Sequence, residues 1–400
     1  MVIVDECHHV SSVSFEQVLR QVTATFVYGL TATPIRKDGH QPIIFMQCGK
    51  IRFTSDAKSQ MENQGFKRLL ISRFTSFRSI ISDRKTYVQI TQELSEDKVR
   101  NEFVMEDVKA AIQKGRTPLV LTTRTAHVKV LAQMLMPFAD HVIQLIGADS
   151  AKEKRLALQN LQSIPTSESL VIVATGKYVG EGFDYPRLDT LFLTMPIAWK
   201  GNVEQYAGRL HREYEGKSEV CIYDYVDIRV PLCDSMYRKR LKGYARAGYG
   251  KNVTSPAPDK KSQELIYEQN NYEAAFRNDL AKAKHSVVIA VPRVKFKYKP
   301  SIMSALANLL HDEVSVVVHV KEEGANELEL SNAGMDVVCN KEQTLQCAII
   351  DKSIVWYGNI NFFGYNSETN NVMRIADYKI ANEMMEILYS ATENKANETR

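Results

Sequence analysis

The chain has 400 residues, of which 44% are hydrophobic and 24% charged, and its net charge is +4. These proportions are those of an ordinary globular protein, and the length suggests two or three domains. The small net charge excludes a uniformly basic protein, so any surface for nucleic acid must be local. No apolar run approaches the ~20 residues that span a bilayer, and none of the six cysteines forms a C-x-x-C pair. We therefore expect a reduced, cytoplasmic protein without a membrane contact or a zinc ribbon.

The first 36 residues predict a strand, a helix and a second strand. The apolar stretch at residues 2–4 runs directly into Asp5 and Glu6. A P-loop NTPase presents its Mg²⁺-holding aspartate in this way, at the carboxyl end of a buried strand, and an adjacent glutamate can act as general base. An acidic pair alone is more typical of a plain turn, but the apolar strand before it and Cys7-His8 after it favour the ATPase interpretation. The second strand, over 25–30, leads into Thr31-Ala32-Thr33-Pro34.

A regular alternation of strands and helices follows a less regular stretch. Residues 41–95 mix short apolar runs with polar ones, and we interpret them as a connection between lobes. From 96 to 234, strands are predicted at 118–121, 170–174, 188–193 and 220–223, with helices between them. Strands that alternate with helices indicate an α/β fold with a parallel sheet covered on both faces.

The remainder predicts a connector and a second α/β unit. Residues 235–270 begin with a basic, tyrosine-rich stretch that could track a single strand by charge and stacking, or form a solvated helix face. Residues 271–392 predict strands, helices and a hairpin at 347–357, and 393–400 a polar tail. Four cations alternate with apolar residues in a predicted strand and would line a groove or protect a sheet edge. They are Arg293, Lys295, Lys297 and Lys299.

Four segments resemble, in order, motifs II, III, V and VI of superfamily 2 helicases in the DExH branch. They are D-E-C-H at 5–8, Y-G-L-T-A-T-P at 28–34, A-T-G-K-Y-V-G-E-G-F-D at 174–184 and Q-Y-A-G-R-L-H-R at 205–212. The excision-repair and type III restriction helicases are the most similar branch. The resemblance implies a hydrolase with two RecA-like lobes, ATP and Mg²⁺ as cofactors, and a nucleic-acid partner. We expect DNA, although the sequence does not separate DNA from RNA.

The resemblance also implies roles for individual residues. The implied catalytic residues are Glu6, Arg209 and Arg212. The implied nucleotide-binding residues are Asp5, which also holds the metal, Gly182, Asp184 and Gln205. His8, Thr31 and Thr33 are expected to couple nucleotide state to strand binding, and Thr123, Arg124 and Thr175 to contact nucleic acid. Gln205, Arg209 and Arg212 have the spacing of one helix face, from which two arginines could stabilise transition-state charge. For Thr123 and Arg124, simple helix capping is an equally good interpretation.

One expected part of the ATP site is missing from these 400 residues. No G-x-x-x-x-G-K-[ST] phosphate loop occurs, and in the family this loop precedes motif II. We therefore interpret 1–40 as the remnant of a first RecA-like lobe in an N-terminally truncated chain, and 96–234 as the complete second lobe. We expect negligible ATP hydrolysis by this chain alone. The alternative is a non-enzymatic module that only binds nucleic acid.

The C-terminal unit resembles a phospholipase-D-like domain over about 270–390. Asp351 and residues 354–361 match the stretch that follows the family's H-x-K-x-x-x-x-D motif, but Thr344 and Gln346 stand where the motif needs histidine and lysine. Without the nucleophilic histidine, phosphodiester chemistry is not expected, which disfavours a nuclease. We expect structural roles for Asp351 and Asn361 and a binding or scaffold role for the domain. A homodimer through this domain is one arrangement that the resemblance suggests.

Overall fold

The computed structural model describes most of the chain and divides it into two compact units, residues 1–60 and 61–400. The described residues are 1–5, 7, 13–31, 41–53, 66–79, 86–147, 151–180, 183–197, 202–250, 265–295, 300–322, 324–341, 345–367 and 370–398. None of the helices within these ranges is long and apolar enough to cross a membrane.

The described residues of the first unit form a short parallel strand pair and two helices. Its elements are β1 (Val2–Val4), α1 (Val13–Arg20), β2 (Val27–Gly29) and α2 (Gln41–Cys48). Val4 lies opposite Gly29 in the parallel pairing. Val4, Cys7 and Ile44 are buried together and form the core of this unit. The two strands predicted for this region are confirmed.

The second unit begins with a six-stranded sheet in which every pair of neighbouring strands is parallel. In spatial order the strands are β3 (Lys67–Phe74), β8 (Glu219–Val226), β7 (Thr190–Leu193), β4 (Pro118–Thr122), β6 (Leu170–Thr175) and β5 (His141–Leu145). The predicted parallel α/β sheet is thus confirmed. The sheet begins earlier in the chain than the sequence predicted. The strand β3 pairs with β8 along its whole length, although residues 41–95 were interpreted as a connection between lobes.

Both faces of this sheet are covered by helices. The helices are α3 (Tyr87–Glu96), α4 (Lys98–Gln113), α5 (Thr125–Leu135), α6 (Ala151–Ser163), α7 (Gly176–Gly180) and α8 (Asn202–Leu210). Successive strand residues point to opposite faces. Leu119 and Leu121 accordingly pack into one core and Val120 into another. Burial on both faces explains why the central strands are continuous apolar runs.

The C-terminal part forms a mixed seven-stranded sheet. Its elements are α9 (Pro231–Arg246), β9 (Leu265–Glu268), α10 (Tyr272–Leu280), β10 (Ser286–Ala290), α11 (Pro300–His311), β11 (Ser315–Val320), α12 (Ala325–Asn332), β12 (Asp336–Cys339), β13 (Cys347–Ile350), β14 (Ile354–Gly358), β15 (Asn371–Ala376) and α13 (Tyr378–Glu398). The strand order is β12-β11-β10-β13-β14-β15-β9. The predicted hairpin is the antiparallel pair β13–β14. The final helix is longer than the sequence predicted, because α13 continues to Glu398, into the stretch predicted as a polar tail.

The tyrosine-rich connector is a core helix, not a nucleic-acid surface or a solvated face. Tyr237, Arg240 and Tyr244 of α9 are at most 1% exposed. Arg240 donates two hydrogen bonds of 2.8 Å to Asp224, and the hydroxyl of Tyr244 donates one of 2.6 Å to the same carboxylate. Both interpretations of this stretch were therefore wrong, because a buried carboxylate on β8 neutralises the arginine at the centre of the helix.

The predicted cationic strand is also wrong in its described part. The strand β10 ends at Ala290, and residues 291–295 have no strand structure. Arg293 forms an ion pair of 3.3 Å with Glu322, and its carbonyl accepts a hydrogen bond from the side chain of Asn361. Lys297 and Lys299 lie outside the described residues.

Candidate functional site

The first unit brings Asp5 and Thr31 to one edge of its strand pair. Leu30 donates a backbone hydrogen bond of 2.8 Å to Val4, and Cys7 donates one of 2.9 Å to Leu30. Because the carboxyl ends of parallel strands meet at the same edge, the residues that follow β1 and β2 are neighbours there. The predicted residues Glu6, His8 and Thr33 lie outside the described residues.

Gly29 permits the close packing behind this edge. A Cβ at this position would lie 2.8 Å from the sulfur of Cys7 and 2.9 Å from the Cβ of Cys48. Real Cβ atoms do not come this close to their neighbours, so a larger residue would push β2 away from both cysteines. The glycine of the predicted motif III therefore has a packing role in addition to any role in coupling.

Asp5 is compatible with a Mg²⁺ site that is completed by a nucleotide. It is exposed, and it directly follows β1. Among the described residues no group of three His, Cys, Asp or Glu could hold a metal by itself. Mg²⁺ usually retains waters and binds one or two carboxylates together with substrate phosphates. A single aspartate at a strand end fits that ligand set better than it fits a closed all-protein site.

The carboxyl edge of the six-stranded sheet holds the residues predicted to contact nucleic acid. β4 and β6 are neighbours, with Thr122 opposite Thr175. After β4 the chain continues into α5, which packs into one core, and after β6 into α7, which packs into the core on the opposite face. Such a divergence is a topological switch point, where open α/β sheets bind ligands. Thr123 and Thr175 are thereby brought together at this point.

A cavity of about 420 Å³ opens at the switch point. Its lining consists of Tyr87, Thr123, Thr175, Gly176, Lys177, Ile197, Tyr206 and Met236. Two of the three predicted nucleic-acid contacts, Thr123 and Thr175, therefore line one cavity. Thr175 is 7% exposed, and its hydroxyl accepts a hydrogen bond of 2.9 Å from the backbone of Gly147. Its hydroxyl hydrogen is still available to donate to a ligand.

Arg124 lies beside the cavity rather than in its lining. Its guanidinium donates a hydrogen bond of 3.3 Å to the carbonyl of Val88 in α3. Helix α5 begins at Thr125, and no side chain caps its first turn, so the capping interpretation of these residues is not supported. Arg124 instead connects the end of β4 to α3.

His127 contacts Thr122, the last residue of β4, from the helix α5. It is 1% exposed, and its ring nitrogens lie 2.9 Å from the hydroxyl of Thr122 and 3.0 Å from Oδ1 of Asn101. The amide oxygen can only accept, so Nε2 donates to Asn101 and Nδ1 accepts from Thr122. Burial, together with the charges of Arg100 and Arg124, lowers the pKa of His127 to about 3. No motif or spacing in the sequence indicated this role of His127.

The arginine segment is only partly helical. Helix α8 ends at Leu210, so Gln205 and Arg209 have helical spacing on it, whereas Arg212 lies beyond its end. The expectation that all three share one helix face is therefore wrong for Arg212. Its Nε instead lies 3.1 Å from Oδ1 of Asp184, and both side chains are about half exposed. The structure thus joins one predicted residue of motif V to one of motif VI.

Lys217, which the sequence did not single out, holds this pair in place. Its ammonium donates hydrogen bonds of 2.6, 3.1 and 2.8 Å to the carbonyls of Pro186, Leu210 and Arg212. Burial lowers its pKa to about 8, although the charge of Asp189 opposes this shift. The only local signal is the turn at Gly216, which has φ +81°. Lys217 thus bonds the carbonyl of Leu210 at the end of α8 and the carbonyl of Pro186 in the segment that follows Asp184.

In the C-terminal sheet, Asp351 and Asn361 make hydrogen bonds to backbone groups, as expected for structural residues. Asp351 accepts hydrogen bonds of 2.8–3.0 Å from the backbone of Lys284, His285 and Ser286. Although burial acts in the opposite direction, these donors lower the pKa of Asp351. Asn361 bonds the backbone of Arg293 and Phe363. Thr344 lies outside the described residues.

Comparisons with known proteins relate the chain to helicases. The family model described as "Type III restriction enzyme, res subunit" matches residues 1–36. "Putative helicase 22" of Sulfolobus islandicus filamentous virus is 26% identical over 56% of this chain and 42% of the relative. "Putative ATP-dependent RNA helicase L396" of Acanthamoeba polyphaga mimivirus is 21% identical over 78% of this chain and 60% of the relative. The chain therefore spans about half the length of these relatives, and it resembles superfamily 2 helicases.

The chain also has a weak likeness to a solved structure. Nuc from Salmonella typhimurium, described as a phospholipase D family member, has 19% identity and a TM-score of 0.30. The match covers 33% of this chain and 95% of that one. Because the TM-score is below 0.5, this likeness adds no support to a function.

Proposed function

We propose that this chain, which resembles superfamily 2 helicases, contributes the strand-binding and arginine-bearing part of an ATP-dependent nucleic-acid helicase or translocase. The observation that carries the proposal is the meeting of Thr123 and Thr175 at the switch point of a parallel sheet. Hydroxyl groups at such an edge can donate to the phosphates of a strand. Thr123, Arg124 and Thr175 would hold the strand, which we take to be DNA.

The ATP chemistry would use the residues of the predicted motifs II, V and VI. Asp5 would hold Mg²⁺, and Glu6 would activate the attacking water. Arg209 and Arg212 would stabilise negative charge on the transferred phosphoryl group. The remaining nucleotide contacts would come from Gly182, Asp184 and Gln205. His8, Thr31 and Thr33 would couple nucleotide state to strand binding. The ion pair of Asp184 with Arg212 supports the pairing of motifs V and VI in this scheme.

The proposal includes the cell compartment and the oligomeric state of the protein. All six cysteines are free thiols, which is compatible with a reducing, cytoplasmic environment. A homodimer through the C-terminal sheet would need a surface other than the face lined by Tyr357 and Met373. That face is buried in the core shared with α9 and α13.

ATP hydrolysis tests the arginine roles. The assay compares residues 1–400 with a polypeptide that adds any in-frame P-loop segment upstream, with and without single-stranded DNA or RNA. We expect negligible turnover by 1–400 and nucleic-acid-stimulated turnover by the longer chain. Arg209→Ala should lower the stimulated rate by about 10³-fold or more, the usual effect of losing an arginine finger. The exposed residue Lys239 supplies the control, Lys239→Met.

Two results would contradict the scheme. Stimulated turnover by 1–400 that is lost on Glu6→Gln would show that the missing phosphate loop is not required. Stimulated turnover that is unchanged in both Arg209→Ala and Arg212→Ala would remove the arginines from the chemistry.

The second candidate is a non-enzymatic nucleic-acid-binding module. The observation that favours it is the lack of a G-x-x-x-x-G-K-[ST] sequence within the 400 residues. The reading frame upstream of Met1 separates the two candidates. An in-frame strand that ends in this phosphate loop supports the motor, and a frame without one supports the module.

A further inference from the structure

The cavity at the switch point has a buried, mostly apolar floor and an exposed, polar rim. Thr175, Ile197, Tyr206 and Met236 are between 4% and 8% exposed and form the floor. Tyr87, Thr123 and Lys177 are exposed and lie at the rim. The lining therefore combines two aromatic rings and two aliphatic side chains with hydroxyl groups and one cation.

Hydrogen bonds from the helices α3 and α9 reach the segment 196–197 beside the cavity. The hydroxyl of Tyr87 donates to the carbonyl of Pro196 at 2.9 Å. The guanidinium of Arg240 donates to the carbonyl of Ile197, also at 2.9 Å. The helix α3 and the core helix α9 therefore both bond the segment 196–197, which contributes Ile197 to the floor.

Phosphate alone does not account for this lining. A phosphate would be satisfied by Thr123, Thr175 and Lys177, but it would gain nothing from Ile197 or Met236. Ligand sites of 300–1,000 Å³ usually pair an apolar lining with a few polar groups that fix orientation, and this cavity falls in that range. A ligand with a flat apolar ring and an attached anionic group would match both the apolar floor and the polar rim of the cavity. A nucleotide within a single strand has this form.

We propose that the cavity binds one unstacked base of the bound strand, with the adjoining phosphate at the rim. This inference rests on the proposed function and adds base contact to it. The base would pack against the rings of Tyr87 and Tyr206 and against Met236. Contact of this kind tolerates every sequence, because each base has a π face. Tyr206 belongs to α8, the helix that also carries Arg209.

The test compares a short oligothymidylate with an all-abasic oligonucleotide that has the same number of phosphates. Affinities are measured by fluorescence anisotropy for the 1–400 chain and for Tyr87→Ala. We expect the intact strand to bind about 5- to 150-fold more tightly, the range of one stacked base. Tyr87→Ala should weaken binding of the intact strand towards the abasic value and leave abasic binding unchanged.

Two variants serve as controls. Tyr87→Phe keeps the ring and loses the hydrogen bonds of the hydroxyl group with Pro196 and Thr123, so it should keep the preference for the intact strand. Tyr378→Ala removes a tyrosine that, like Tyr87, is the first residue of a helix but is 61% exposed on α13. It should also keep the preference. Cross-linking of the unaltered chain to a 5-iodouracil oligonucleotide gives a measurement without a variant, and the linked peptides should contain Tyr87 or Tyr206.

The outcomes distinguish this inference from the function on which it rests. If neither oligonucleotide binds, both are wrong. If the two bind equally, or if Tyr87→Ala weakens both to the same extent, the base pocket is wrong and the strand-binding proposal stands. Cross-links confined to peptides outside the cavity would also overturn the base pocket.

Discussion

Lys217 is the clearest case of a single side chain that organises the candidate site. One ammonium group satisfies three carbonyls around the end of α8. Carbonyls at a helix end otherwise lack partners within the helix. The carbonyls of Pro186 and Leu210 lie two residues from Asp184 and Arg212, so Lys217 holds the backbone next to both members of this ion pair.

Lys217→Met should therefore destabilise the protein. We expect a loss of roughly 1–3 kcal/mol in the free energy of unfolding, since partly buried carbonyls lose their donor. Urea denaturation at neutral pH measures this loss. Lys239→Met removes an exposed lysine of α9 and should change stability by less than about 0.5 kcal/mol. Equal effects of the two substitutions would contradict the role given to Lys217.

His127 makes stability depend on pH in a predictable direction. Its pKa is about 3 in the folded protein and about 6.5 in an unfolded chain. The unfolded state therefore binds a proton first as the pH falls, and the stability contributed by neutral His127 is lost progressively below pH 6.5. Between pH 7 and pH 5 this loss amounts to about 2 kcal/mol.

The variant His127→Gln isolates this contribution from those of other titrating groups. Urea denaturation at both pH values gives the free energy of unfolding of each protein. The advantage of the unaltered protein at pH 7 should shrink by about 2 kcal/mol at pH 5. A difference between the two proteins that is independent of pH would show that His127 is not held neutral.

Sequence motifs identified residues better than they identified geometry. The sequence singled out Asp184 and Arg212 separately, but their ion pair required the structure. The helix face predicted for Arg212 failed because α8 ends two residues earlier. Lys217 and His127 could not have been found, since a lysine after a glycine turn and a histidine in a helix are ordinary until their partners are known.

At the scale of elements, the helix α9 lies in the core, although its many lysines and arginines made it resemble a surface helix. Tyr237, Leu241 and Tyr244 recur at helical spacing, and all three are fully buried. The neighbouring lysines and arginines made the same stretch suggest a nucleic-acid surface. What the sequence does not show is that Asp224 of β8 lies opposite Arg240 and neutralises it.

Arg240→Met should accordingly cost about 3–5 kcal/mol of stability, because it leaves the carboxylate of Asp224 buried without its cation. The double variant Arg240→Met/Asp224→Leu should recover much of the loss, since it removes both charges. Thermal or urea unfolding measures both. A stable single variant with weakened nucleic-acid binding would instead restore the interpretation of α9 as a strand-tracking surface.

The strands were predictable to the extent that they are buried. β4 and β6 lie at the centre of the sheet, and their unbroken apolar runs identified them. β3 and β5 lie at the two edges and include polar residues, and neither was predicted. Edge strands have a partner on one side only, so the apolar signal in their sequence is weaker.

At the scale of the whole molecule, the six-stranded parallel sheet and the seven-stranded C-terminal sheet share one hydrophobic core. Phe74 of β3 and Tyr237 of α9 both contact the ring of Tyr357 in β14, at centroid distances of 5.8 Å. Arg229 pairs with Glu383 of α13 at 2.6 Å. The sequence suggested separate domains at 96–234 and 271–392, because the linker composition of 235–270 conceals the contacts that its helix makes with both sheets.

The central claim is the proposal that the carboxyl edge of the six-stranded sheet, with Thr123 and Thr175, holds a nucleic-acid strand. It is tested by fluorescence anisotropy with labelled single-stranded DNA, which compares the 1–400 chain with Thr123→Val/Thr175→Val. The serine pair Thr123→Ser/Thr175→Ser is the control that keeps both hydroxyl groups.

The account predicts salt-dependent binding that the valine pair weakens by roughly 30-fold, since two hydrogen bonds of about 1 kcal/mol each are lost. The serine pair should bind like the unaltered chain. Equal affinity of the valine and serine pairs, or no binding by the unaltered chain at low salt, would contradict the claim that this edge holds a nucleic-acid strand.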